Sequence, residues 1–318
     1  MKAIRQHGYG APASVLQLEE VDKPQVGDDQ VLVRVRASSV NSGDWRQVRA
    51  SPVIIRFVLG LRGPKDPAIG GDVAGIVEAV GRNVTHLTVG DEAFGIRSGA
   101  FAEYVSGKSM VAKPANLTFE EAAAVPIAAL TALQAVRDKA GVVAGSKLLV
   151  NGAGGGVGHF AVQVAKALGA EVTAVTSTDK LELARSIGAD HVIDRTQTDF
   201  TKSGERYDAI VDVAGDKGFG ACRRVLTADG TLAIVGSYRG TLLRLLFGSL
   251  RRRLLRQRIV FFLAKPNLDD LMTLKTMVEA GQLRPHIDRR FSLEQAAEAV
   301  GYSEKQNVAG KVVLTMPA

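Results

Sequence analysis

The chain has 318 residues, 46% of them hydrophobic and 23% charged, which suits two globular domains with real cores and excludes disorder. Its single cysteine, Cys222, excludes a disulfide framework and any zinc site built on two or more cysteines, and it fits a reducing, cytoplasmic setting. A net charge of +7 would invite an anionic partner if it were spread out, but seven arginines and no acid lie between Arg239 and Arg258; the other 33 basic residues meet 33 acidic ones, so nucleic-acid binding is not expected.

Met1 to Arg5 reads as the start of a strand, with no basic start and apolar run of an export signal. Short strands separated by Gly and Pro follow: Val31 to Ala37, Val73 to Val80 and Phe101 to Val105. They predict a compact β-rich unit that ends near Pro114. From Phe119 the pattern turns helical, with Glu120 and Glu121 where a positive helix N-terminus favours them. The apolar stretch Ala122 to Val136 contains Pro126 and is shorter than the roughly 20 residues a membrane span needs, so no transmembrane segment is expected.

Strands and helices then alternate. Lys147 to Asn151 reads as a strand, Val157 to Ala170 as a helix, Glu171 to Thr176 as a strand and Lys180 to Ile187 as a helix closed by Gly188. Further strands are predicted at His191 to Asp194, Ala209 to Val213, Thr231 to Val235 and Ile259 to Phe262, an alternation that implies a parallel, doubly wound α/β sheet. Two late helices follow, Leu268 to Ala280 and one capped by Ser292 with Gln295 in the capping-box position; a last strand runs Lys311 to Leu314.

The most informative stretch is the turn between strand and helix, Asn151-Gly152-Ala153-Gly154-Gly155-Gly156-Val157-Gly158. The dinucleotide-binding spacing falls on Ala153, Gly155 and Gly158. Gly155 lets the backbone approach a pyrophosphate, Gly158 lets helix and strand pack closely, and the helix start supplies N–H groups. Such a turn can also be an ordinary tight connection, but it lies inside a complete strand-helix-strand unit. An acid about 24 residues after the first fingerprint position would accept both ribose hydroxyls of NADH. That position holds Ser177, with Lys180 close by and Arg195 after the following strand, a set suited to the 2′-phosphate of NADPH. Asp179 is read as the cap of the helix beginning at Lys180.

Val40-Asn41-Ser42-Gly43-Asp44, the run Gly70 to Gly81, Val89-Gly90-Asp91, Ala102-Glu103-Tyr104 and the Gly154–Gly158 loop together resemble the medium-chain dehydrogenase/reductase superfamily, in its zinc-free, quinone oxidoreductase-like branch. The resemblance runs nearly end to end. It implies a chaperonin-10-like (GroES-like) β-rich catalytic domain at residues 1–118 and 265–318, a doubly wound Rossmann cofactor domain at residues 119–264, and an active site in the cleft between them. It implies cofactor contacts at Thr131, Ala153, Gly154, Gly155, Gly156, Val157, Gly158, Ser177, Lys180, Arg195 and Phe262, and substrate-bordering roles for Asn41, Asp44 and Trp45. Zinc-using relatives carry Cys and a His-Glu pair where this chain looks to have Asn41 and Gly71-Asp72, so no metal is expected. The implied reaction is hydride transfer from NADPH to a quinone or an α,β-unsaturated carbonyl, by a cytoplasmic homodimer acting on small molecules. An NADP-dependent alcohol dehydrogenase or carbonyl reductase, and a non-catalytic NADPH-binding protein, are the alternatives. Asp44 could simply cap a turn, Trp45 could be a core aromatic, and Lys180 and Arg195 could be solvated charges. The Leu- and Arg-rich segment Leu242 to Arg258 reads as a basic amphipathic helix, expected to shape the pocket or the oligomer.

Overall fold

A computed structural model describes residues 1–235, 256–305 and 308–317, and the chain divides into two units, Met1–Leu130 with Pro266–Ala318 and Thr131–Lys265. In the first unit, runs of β-branched residues broken by Gly and Pro give short strands. β1 (Lys2–Gln6) pairs antiparallel with β2 (Leu16–Glu20). β3 (Val31–Val40), β4 (Asp72–Val80), β5 (Glu92–Ile96), β6 (Tyr104–Gly107) and β7 (Ser109–Ala112) follow. The strand expected from Phe101 starts only at Tyr104, because the preceding backbone is engaged with β1: Ile4 donates to Phe101 and Glu103 donates to Lys2.

The second unit begins inside the helix Pro126–Leu133 and among the described residues holds six strands: β8 (Lys147–Asn151), β9 (Glu171–Thr176), β10 (His191–Asp194), β11 (Tyr207–Asp212), β12 (Leu226–Val235) and β13 (Arg258–Phe262). Every neighbouring pair is parallel, in the order β10-β9-β8-β11-β12-β13. The order reverses between β8 and β11, so a crevice opens at the C-terminal ends of those two strands, where this architecture binds ligands. The inner strands are buried on both faces, as a parallel sheet covered by helices requires, while the edge strands β10 and β13 are partly exposed; Leu148, Leu149, Val150, Ile210 and Leu232 have no exposed surface.

The chain then returns to the first unit through helix Leu268–Glu279, β14 (Ile287–Ser292), helix Ala296–Glu304 and β15 (Lys311–Thr315). Its main sheet has the order β14-β15-β3-β4-β5-β7, with β6 also paired to β3. β3 is therefore central; it is buried along most of its length, with Arg34 and Arg36 partly exposed, and helix Phe119–Ala123 packs against it. The capping box of Ser292 and Gln295 is present, and a second, Thr118 with Glu121, opens helix Phe119–Ala123, which packs on β3 and β4.

Two expectations change. The helix after the glycine turn is Gly158–Ala167, shorter than expected at both ends. The next one is a 3-10 turn, Thr178–Lys180, followed by helix Leu181–Ser186, so Asp179 sits inside the turn and does not cap a helix from Lys180. The Thr178 hydroxyl donates to Asp194 across the adjacent strand end at 2.6 Å, which fixes the turn in that position. Most of the expected helix Leu242–Arg258 lies outside the described residues; Arg258 itself starts β13.

Candidate functional site

Two polar centres stand out, one in each unit. In the second unit, β8 ends at Asn151 and the chain turns sharply through Gly152, whose φ of +91° is a left-handed conformation that favours glycine. A Cβ on Gly158 would sit 2.0 Å from the Gly152 carbonyl oxygen, so helix Gly158–Ala167 can start this close to its strand only with glycine there. A Cβ on Gly154 would meet Thr176 Oγ1 at 2.6 Å and the Lys180 side chain at 2.8 Å. At Gly155 the nearest atom would be 3.5 Å away, so no packing contact requires a glycine; bare backbone there leaves room for a ligand. Ala153 is wholly buried, whereas Gly155, Gly156 and Val157 are partly exposed.

The amides of Gly156, Val157 and Gly158 make no backbone hydrogen bond among the described residues. They form the open N-terminus of a ten-residue helix, where unpaired N–H groups and the helix dipole favour an anion. His159, buried directly after them, directs Nδ1 at the Gly155 carbonyl oxygen at 3.0 Å. Since a carbonyl only accepts, Nδ1 carries the proton, and the ring holds the loop in place. Asn151 donates to Asp212 at 2.9 Å and to Asp216 at 2.8 Å, tying β8 to the turn after β11, while its buried Oδ1 has no partner among the described residues. A bound dinucleotide fits this cradle: anionic oxygens can meet the free amides, and the glycines leave the approach open.

Ser177 and Arg195 follow directly on Thr176 and Asp194, which are paired in the parallel ladder of β9 and β10. The Arg195 amide donates to Thr176 O at 2.8 Å, so the two residues leave the sheet side by side. Arg195 is exposed, Ser177 half-buried, and Lys180 buried with its aliphatic stem along Gly154. Phe262 ends β13, with the Lys139 ammonium 5.9 Å from its ring. Thr131 is buried on helix Pro126–Leu133. Cys222 is also buried; burial, with the Asp212 and Asp216 charges, pushes its thiol up to about 12, so it is a core thiol and not a nucleophile.

In the first unit the centre is Asp72, wholly buried at the start of β4. Its Oδ2 accepts from Ser39 Oγ at 2.5 Å, Asn41 Nδ2 at 2.7 Å and Lys311 Nζ at 3.3 Å. Its Oδ1 accepts the Ile127 amide at 2.7 Å, capping helix Pro126–Leu133. Gly71 packs closely under the tip of the Ile127 side chain, which a Cβ there would displace. Lys311 also donates to Asn41 Oδ1 at 2.6 Å. A buried lysine thus balances the charge of the buried carboxylate, and among the described residues no group of three His, Cys, Asp or Glu side chains could hold a metal.

Asn41 and Asp44 form a capping box on helix Ser42–Arg49, with the Asn41 amide donating to Asp44 at 2.6 Å. Asp44 is buried, and this burial, reinforced by the Asp72 charge, raises its carboxyl to about 7. Trp45 is partly buried against the core of this unit, under the Arg46 guanidinium. Asp44 therefore does cap the helix, and Trp45 packs as a core aromatic does. Sequence reasoning missed Ser39, His159, Asp212 and Lys311. Lys311, which opens an apolar strand, carries no local signal of its distant partners.

Residues 27–115 match the model of the alcohol dehydrogenase GroES-like domain, and residues 187–314 match that of zinc-binding dehydrogenases. The chain is 33% identical to 2-methylene-furan-3-one reductase of Solanum lycopersicum, covering 99% of this chain and 79% of that one. It is 31% identical to the chloroplast envelope quinone oxidoreductase homolog of Arabidopsis thaliana, covering 99% and 98%. The quinone oxidoreductase of Coxiella burnetii has a similar structure, with a TM-score of 0.86, 29% identity, and 100% and 99% of the two chains covered.

Proposed function

Since the chain belongs to the medium-chain dehydrogenase/reductase superfamily, in its quinone oxidoreductase-like branch, we propose that it is an oxidoreductase that reduces a quinone or the β-carbon of an α,β-unsaturated carbonyl with NADPH. The observation that carries this reading is the glycine cradle at the switch point of the parallel sheet, with the amides of Gly156, Val157 and Gly158 free of backbone partners among the described residues. The names of the relatives supply the acceptor class, one a furanone reductase and another a quinone oxidoreductase homolog.

A bound nicotinamide supplies the hydride. The chain's own residues bind and orient. The free amides and the start of helix Gly158–Ala167 hold the pyrophosphate, with Ala153 and Gly154 completing the turn. Ser177, Lys180 and Arg195 receive the 2′-phosphate, and no acid stands where NADH would need one. Thr131 and Phe262 border the nicotinamide side. Asp72 fixes the start of the helix that carries Thr131, and it fixes Asn41 beside the acceptor; Asp44 and Trp45 belong to the same border. Asn41 and Gly71-Asp72 stand where zinc-using relatives carry Cys and a His-Glu pair, a set that favours a conjugated, already activated acceptor over alcohol oxidation. The reading extends to a homodimer in the cytoplasm, for which the lone cysteine fits a reducing compartment. Among the described residues no helix is long and apolar enough to cross a membrane.

The test is NADPH oxidation by chelator-treated protein against a panel of quinones, enones and simple ketones. Turnover with quinones or enones and not with ketones supports the reading. NADPH binding without turnover on any of them contradicts it.

A further inference from the structure

Of the eleven large apolar residues exposed among the described residues, five fall within nine positions: Val53, Ile54, Phe57, Val58 and Leu61, between 52% and 77% exposed. They lie on a 3-10 turn, Val53–Ile55, that runs into the short helix Arg56–Leu59. All five lie on the 3-10 turn, on the helix or just past its end, so the exposed apolar surface is concentrated in one short stretch of chain. The segment is pinned from beneath. Tyr9 donates to the Gly60 carbonyl at 2.8 Å and its ring lies 5.0 Å from the Arg56 guanidinium. Gly60, at φ +133°, closes the turn, where a Cβ would strike Gly63 O at 2.1 Å. These contacts hold the apolar side chains outward on a fixed base.

Charge identifies what covers them. From Trp45 to Lys65 the chain has five basic residues and no acidic one; Arg49 among them pairs with Glu304, and exposed Asp66, next to Lys65, accepts the Ala68 amide. Arg62 and Lys65 beside the patch are exposed and have no ion-pair partner among the described residues. A second copy fits poorly: a twofold contact would set these cations against their own equivalents, and five side chains offer less than the roughly 800 Å² per partner of a stable dimer. An apolar stretch flanked by unpaired cations matches the boundary between acyl chains and anionic headgroups. We propose that residues 52–65 form a docking face for an anionic membrane surface, with Phe57 and Val58 entering the acyl boundary and Arg62 and Lys65 meeting lipid phosphates. The inference stands apart from the reduction chemistry of the glycine cradle.

Co-sedimentation of the whole chain with vesicles of phosphatidylcholine alone, and of phosphatidylcholine mixed with phosphatidylglycerol, tests it. The wild type should pellet with the anionic vesicles and be released by high salt. Phe57→Ser/Val58→Ser should bind about tenfold or more weakly, from the apolar surface lost. Arg62→Ser/Lys65→Ser should lose the dependence on anionic lipid. Thermal unfolding and sedimentation velocity check that each variant is folded and report its mass; Val53→Ser/Leu61→Ser is a second apolar variant should the first fail to fold. Equal pelleting by wild type and a folded apolar variant would overturn the proposal, as would no binding to anionic vesicles. A lipid-independent oligomer that the apolar variant breaks up would overturn it in favour of self-association.

Discussion

The cradle in the second unit is built from backbone, and the Asp72 cluster in the first from side chains. The cradle spans eight consecutive residues, Asn151 to Gly158, and its chemistry is a set of amides and missing Cβ atoms. The cluster joins Ser39, Asn41, Asp72, Ile127 and Lys311, which only the folded chain brings together. Backbone sites are written locally and can be recognised in a sequence; side-chain sites are written in the tertiary fold. The two should therefore break differently.

The largest effect is expected in the cluster. Lys311→Met leaves Asp72 buried without its cation, a loss of about 3 to 5 kcal/mol in chemical unfolding. The double variant Lys311→Met/Asp72→Asn should recover part of that loss, whereas additive costs would show that the two residues do not act as a pair. In the cradle, Gly158→Ala forces a methyl onto the Gly152 carbonyl and should cost about 2 to 4 kcal/mol together with cofactor binding. Gly155→Ala meets nothing closer than 3.5 Å, so it should leave the unfolding midpoint unchanged and weaken only NADPH titration. Equal losses at both positions would remove the distinction between a packing glycine and a ligand-facing one.

Asp44 sharpens the contrast through pH. Its carboxyl keeps its proton to about 7 in the folded chain and to about 4 when unfolded, so the folded state binds more protons across that window. Its contribution is full below about pH 4 and is lost as pH rises through 7. Asp44→Asn should flatten the stability profile of the wild type between those values; an unchanged slope would show that the group titrates normally. The smallest effect is expected at exposed Arg195. Its replacement by Ser should weaken NADPH about tenfold, the worth of one charge-assisted contact, and leave NADH unchanged.

The glycine turn, the strand-helix alternation behind the parallel sheet and the Ser292–Gln295 capping box were legible because each is written in short runs of sequence; the boxes Thr118–Glu121 and Asn41–Asp44 were not read. The strand expected at Val31 to Ala37 runs on to Val40, where Val312, Val313 and Leu314 pair with Val40, Ser39 and Ser38, a distant partner that the local pattern does not announce. Asp179 looked like a cap because Asp often is one; the hydrogen bond from Thr178 to Asp194, on another strand, decided otherwise. Asn41 and Asp72 stood in recognisable segments, but their common partner Lys311 is more than 200 positions away and gave no sign.

Hydride transfer to a conjugated carbon is the central claim, and isotope transfer tests it most directly. The chain would be supplied with NADPH carrying deuterium on the transferred face of its nicotinamide C4, together with an α,β-unsaturated ketone, and the product would be read by NMR and mass spectrometry. The account predicts one deuterium per turnover at the β-carbon of a saturated ketone, in the presence of a metal chelator. Deuterium at the carbonyl carbon of an alcohol, or no label in the product, would contradict it.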